Sequence, residues 1–130
     1  NMSGGEIRNC RGGRGNGGGV HVYGATFVMS GGTISGCTAV YDGGGLCAEN
    51  KSTITINNGT ISGCSAGAGG GLYADNSIVT INKGTISGCK AVNGYGGGLY
   101  AKNSTVTIED GTISGCCTTS DIGMGGGLYA

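Results

Sequence analysis

Hydrophobic positions in this chain alternate with polar ones at period two, in short bursts that return at a nearly fixed interval. One burst places Phe27 and Met29, Ile54 and Ile56, Val79 and Ile81, and Val106 and Ile108 on one phase. Thr53, Thr55, Thr80, Thr105 and Thr107 take the other phase. A second burst is Thr-Ile-Ser, with Ile34, Ile61, Ile86 and Ile113 each held between a Thr and a Ser. A third is Leu-Tyr-Ala or a variant of it, with Leu46, Leu72, Leu99 and Leu128 in step and Val20 at the same place upstream. Alternation of β-branched residues between turn formers predicts strands. No segment carries a 3.6-residue apolar stripe, and the intervening glycines exclude a stable helix.

The bursts keep step with two motifs. GTISGC stands at Gly32–Cys37, Gly59–Cys64, Gly84–Cys89 and Gly111–Cys116, with a degenerate copy at Gly5–Cys10. Gly-Gly-Gly begins at Gly17, Gly43, Gly69, Gly96 and Gly125, so successive triplets lie 26, 26, 27 and 29 residues apart. A fixed period of this length marks a stacked repeat. Three strands per period predict an all-β solenoid, a parallel β-helix of roughly five coils with about 26–27 residues each, neighbouring coils ~4.8 Å apart. Residues 1–130 form a single repeat domain on this reading, with 1–19 a divergent first coil and 20–130 regular. A leucine-rich repeat shares the period but needs several leucines per repeat, and this chain offers one. Each coil supplies five or six inward groups (a Leu, an Ala, two from the Thr-rich burst, an Ile and a Cys), each worth ~1.5–3 kcal/mol when buried. A lone coil cannot enclose them; its neighbours must. The glycine triplets fit sharp turns and close backbone approach.

Composition sharpens this picture. Thirty-three glycines and no proline would suggest a low-complexity segment, but here the glycines fall at fixed phases. Seven basic residues balance seven acidic ones, which gives no electrostatic reason to expect nucleic acid or an anionic membrane. No apolar run approaches the ~20 residues of a spanning helix, so membrane insertion is not expected. No basic segment followed by an apolar one marks a signal peptide, and the chain reads as a mature or excised segment. Arg8, Arg11 and Arg14 lie in a divergent, solvated first coil rather than an RGG-type nucleic-acid contact. Gly13-x-Gly15-x-x-Gly18 matches a dinucleotide fingerprint but lacks a preceding strand and runs into strand-like Val20-His21-Val22.

Written out as T-I-S-G-C…G-G-G-L-Y-A…S-T-V-T-I, the coil resembles the parallel β-helix repeats of bacterial cell-surface proteins, including polymorphic outer-membrane proteins and autotransporter passengers. The likeness is good over residues 28–130 and loose over 1–27. It implies a right-handed, extracellular β-helix used for adhesion or as a stalk, and identifies no ligand. Where that family usually carries a ladder Asn, this chain has Cys10, Cys37, Cys64, Cys89 and Cys116.

Stacked in register, these five cysteines would lie ~5 Å apart at Cα, within disulfide range but with side chains pointing the same way. Two readings stand: a column of buried thiols, or disulfides between adjacent coils. Cys47, where other coils carry Tyr, and Cys117, which follows a ladder member, are expected to be the most reactive. Seven is odd, so at least one thiol is free or intermolecular. There is no C-x-x-C and His21 is the only histidine, so neither a metal site nor any cofactor is expected. Tyr73, Tyr100 and Tyr129 share a phase with His21 and Cys47 and should form an outward column, suited to sugar rings or a partner surface, or simply to cross-coil packing.

Asp42, Glu49, Asp75, Glu109, Asp110 and Asp121 fall at different phases, mostly in turns, so no catalytic assembly is visible and no enzyme is expected. The outward Thr pairs suggest ice binding, but Val28 and Ile78 interrupt the array. The expected function is a structural extracellular module: a segment of a surface adhesin, stalk or self-stacking filament, with a glycan or host surface as ligand. The alternative is the non-catalytic part of a carbohydrate-active β-helix protein. Ala130 sits at the phase of Ala101 and Asn1 at that of Val28 or Thr107, so copies could continue one another head to tail, advancing ~24 Å per chain.

Overall fold

The computed structural model describes residues 1–130, and its strands form where the period-two bursts predict them. Every strand pairing is parallel and joins equivalent positions of successive coils. The Thr-Ile-Ser strands stack as Glu6–Arg8, Thr33–Ser35, Thr60–Ser62, Thr85–Ser87 and Thr112–Ser114. The Thr-rich strands stack as Thr26–Met29, Thr53–Ile56, Ile78–Ile81 and Thr105–Ile108. The Leu-Tyr-Ala strands stack as Val20–Tyr23, Leu46–Glu49, Leu72–Asp75, Leu99–Lys102 and Leu128–Tyr129. The chain contains no helix and winds through about five coils.

The expectation of three strands per coil is corrected to four. Ser65–Ala68, Lys90–Tyr95 and Cys117–Thr118 form a further parallel sheet between the Thr-Ile-Ser strands and the glycine triplets. Lone bridges at Arg11–Thr38 and Thr38–Ser65 extend it upstream. These segments (SAGA, KAVNGY, CT) alternate poorly and vary in length, and pairing shifts register between Ala91 and Tyr95. A strand of this kind is specified by neighbours that already hold the coil in place, not by its own pattern.

Inward positions follow the expected phasing. Leu72, Ala74, Val79, Ile81, Ile86 and Cys89 belong to one continuous buried cluster with their equivalents above and below. At the ends the same positions are only partly covered: Ile7, Val20 and Phe27 on one side, Val106 and Ile113 on the other.

The triplets have a distinct steric reason. Gly69 turns the chain with a positive φ of 57°, which costs a glycine nothing. The third glycine is compelled by packing: a Cβ on Gly71 would lie 2.6 Å from the Gly98 carbonyl oxygen, 2.7 Å from Ile86 Cγ2 and 3.2 Å from Cys89 Sγ. The isoleucine and cysteine of GTISGC therefore fill the space that the preceding coil's glycine leaves. That contact explains why the two motifs repeat together.

Candidate functional site

Residues of the Leu-Tyr-Ala sheet and of the fourth sheet together line a groove of about 570 Å³. Strand alternation turns Leu and Ala of each Leu-Tyr-Ala inward and the middle residue outward, and of these Tyr73 and Tyr100 line the groove. His21, Cys47, Tyr73, Tyr100 and Tyr129 are register partners along the stack, so the expected column exists. Its exposure differs from the expectation. Cys47 and Tyr73 are buried in a small second cluster with Ala68, against which Tyr95 and Tyr100 pack.

The residue before each triplet supplies the facing column. Asp42 and Tyr95 bridge to Ala68, and Tyr95 to Met124. Tyr95 stacks on Tyr100 with ring centroids 5.8 Å apart at 24°, and also packs on Tyr129 at 5.6 Å. Tyr73 meets Tyr100 edge-on at 5.3 Å. Such pairs add ~0.5–1.5 kcal/mol beyond burial. Burial, reinforced by the charge of Asp42, pushes the Tyr73 phenol up. Sequence reasoning missed Tyr95 because it lies outside the Leu-Tyr-Ala phase; its place immediately before a triplet was the available signal.

The reading of the carboxylates as scattered also needs correction. Asp42, which lines the groove, lies close enough to Glu49 and Asp75 for the three to act on one another through their charges, and all three act on Cys47. Glu49 accepts from Asn16 Nδ2 at 3.2 Å and lies 2.8 Å from His21 Nε2, and Lys102 reaches Asp75 at 3.7 Å. Asp42 is held above the usual carboxylate range, first by burial and then by Glu49. The folded register, with partners 26 residues apart, brings together what the linear sequence separates. Glu109, Asp110 and Asp121 are exposed and none is among the groove-lining residues.

All seven cysteines are thiols in this structure, including Cys10, Cys37, Cys64, Cys89 and Cys116. Cys37, Cys64 and Cys89 are buried; each donates to the carbonyl two residues before it, on Ser35, Ser62 and Ser87, at 3.3 Å. Burial raises the Cys37 thiol above its usual value. The neighbouring Cys64 sulfur, and burial after it, push the Cys89 thiol up, so it stays protonated. Cys117 is exposed as expected, but Cys47 is fully buried, so its expected reactivity is corrected. It lies beneath the groove, beside the triplet turn: a Cβ on Gly43 would lie 2.8 Å from Cys47 Cβ.

Parallel strands stacked in register around one axis define a β-helix. Residues 1–130 match the family described as right handed beta helix region, and the chain belongs to it. No curated protein and no solved structure matches the chain.

Proposed function

We propose that the chain is a structural, non-catalytic β-helix module of an extracellular or cell-surface protein, a segment of an adhesin or stalk like those whose repeats it resembles. The observation that carries this reading is the constancy of the cross-section. Leu, Ile and Cys hold the same positions from coil to coil, and most of the sequence serves that stacking. A further coil on either end face, from the same polypeptide or a second copy, would cover Ile7, Phe27, Val106 and Ile113. Head-to-tail association of copies would be heterologous and open, giving a filament. Protease shaving of intact producing cells should release peptides of this chain, and their retention inside unbroken cells would contradict a surface role. Sedimentation of the purified chain should show concentration-dependent growth; a monomer at every concentration rules out self-stacking.

The tyrosine groove favours a second reading, glycan binding by the same module. Tyr95 and Tyr100 offer half-buried ring faces beside Asn93, Asp42 and Lys102, a pairing of flat apolar surface with polar groups that suits a sugar ring. Calorimetry against an oligosaccharide panel should find a binder whose affinity falls at least ~10-fold in Tyr100→Ala, the loss of roughly one aromatic contact. No binder, or a binder indifferent to Tyr100 and Tyr95, would reject it. Release of shortened or unsaturated sugar, lost in Asp42→Asn, would instead establish an enzyme.

A further inference from the structure

We propose that His21, Cys47 and Glu49 form a binding site for a divalent transition-metal ion of the zinc type on the outward column of the Leu-Tyr-Ala sheet, in the two coils upstream of Tyr73. Two coils contribute. His21 and Cys47 are direct register partners, and Glu49 follows Cys47 by two residues, so alternation puts its side chain on the same outward face. The imidazole nitrogen, the thiol sulfur and a carboxylate oxygen lie within 4.8 Å of one another. Tetrahedral zinc, with bonds of ~2.0–2.3 Å, needs its ligands about 3.3–3.7 Å apart, so rotamer adjustment of less than about 1.5 Å closes the set. Three protein ligands leave a fourth position open.

Cys47 supplies the independent observation. It is fully buried and aimed into the trio, yet it is the one buried thiol without a hydrogen bond, whereas Cys37, Cys64 and Cys89 each donate to a carbonyl. The position also departs from its column, since the three coils that follow carry Tyr here. A tyrosine would have filled the space with ring packing; His and Cys replace it in two adjacent coils, beside a carboxylate. Glu49 is braced by Asn16 through its other oxygen, which fixes the carboxylate as metal ligands usually are fixed. The surroundings are negative, since Asp42 and Asp75 stand near Cys47 as well, and that favours a cation. Thiolate, imidazole and carboxylate together select a borderline-soft ion such as zinc over calcium or magnesium.

Titration of the reduced, chelator-treated full chain with Co²⁺ tests the site, because a tetrahedral thiolate site gives visible d–d bands and a sulfur-to-cobalt charge-transfer band. One ion per chain is expected, displaced by Zn²⁺. His21 is exposed, so His21→Ala should stay folded and weaken binding by at least the ~10–100-fold seen when only a supporting group is lost. Cys47→Ala should abolish the charge-transfer band, whereas Cys117→Ser should leave spectrum and stoichiometry unchanged. Absence of the bands in the native chain overturns the proposal. So does their survival in both His21→Ala and Cys47→Ala, or their loss in Cys117→Ser, which would place the ion on a surface thiol.

Discussion

Ile86 lies at the centre of the stack, fully buried, with Ile61 and Ile113 as its register partners on either side. Its Cγ2 packs into the space above Gly71, where even a methyl group would come within 2.7 Å. Ile86→Ala removes three carbons, or about 2.4 kcal/mol of transfer free energy at ~0.8 kcal/mol per methylene. The remaining cavity adds to that, because the coils cannot close on it: Gly71 and Leu72 are tied to the next coil by backbone hydrogen bonds of 2.9–3.2 Å. A total of about 3–4 kcal/mol follows, inside the ~2–5 kcal/mol range for such truncations. Ile113, partly uncovered in the last coil, should cost about half as much. Thr107 is exposed, and Thr107→Ala should stay within about 0.5 kcal/mol. Urea denaturation followed by far-ultraviolet circular dichroism measures all three. Equal losses for Ile86→Ala and Thr107→Ala would refute the inward and outward phasing on which the whole cross-section rests.

Gly71→Ala should destabilise severely, since the added methyl meets a backbone carbonyl, whereas Gly4→Ala, with open space around it, should be nearly neutral; comparable urea midpoints for the two would contradict the close approach of the triplets. Iodoacetamide under native conditions should modify exposed Cys117 first and partly covered Cys10 and Cys116 next, with Cys37, Cys47, Cys64 and Cys89 protected until unfolding; early loss of Cys47 would mean the groove opens. The unfolded Cys37 thiol ionises near 9.0 and the folded one higher, because burial opposes the charge. Its contribution to stability is therefore complete below pH 9.0 and lost as the pH rises above it. Stability of the native chain should fall above that pH with a steeper slope than in Cys37→Ala, and identical slopes would count against a buried, protonated Cys37.

The parts of the fold legible in the sequence are those where one physical cause acts alone. Val79 and Ile81 point inward because strand alternation leaves no other arrangement, and the period of the triplets fixes which strands pair. The fourth sheet was not legible. Lys90–Tyr95 has neither alternation nor constant length, and its conformation is imposed by the coils on either side. The groove was legible by half: the Tyr73, Tyr100 and Tyr129 column follows from phase, but Tyr95 and Asp42 approach it from a different strand. Cys47 was misjudged as reactive because an outward phase ordinarily means exposure, and here the second cluster covers it. His21 and Glu49 escaped notice as its partners because a search for metal sites by local spacing does not see residues 26 and 28 apart that stacking makes adjacent.

Coil-to-coil register underlies the core, the groove and the candidate metal site alike, and it can be measured directly by nuclear Overhauser contacts between backbone protons of the isotope-labelled chain. Parallel stacking predicts contacts joining Ile86 to both Ile61 and Ile113, Lys90 to both Ser65 and Cys117, and His21 to Cys47. Contacts between strands consecutive in sequence, such as Thr53–Ile56 with Thr60–Ser62, would indicate antiparallel hairpins and contradict the account at its base.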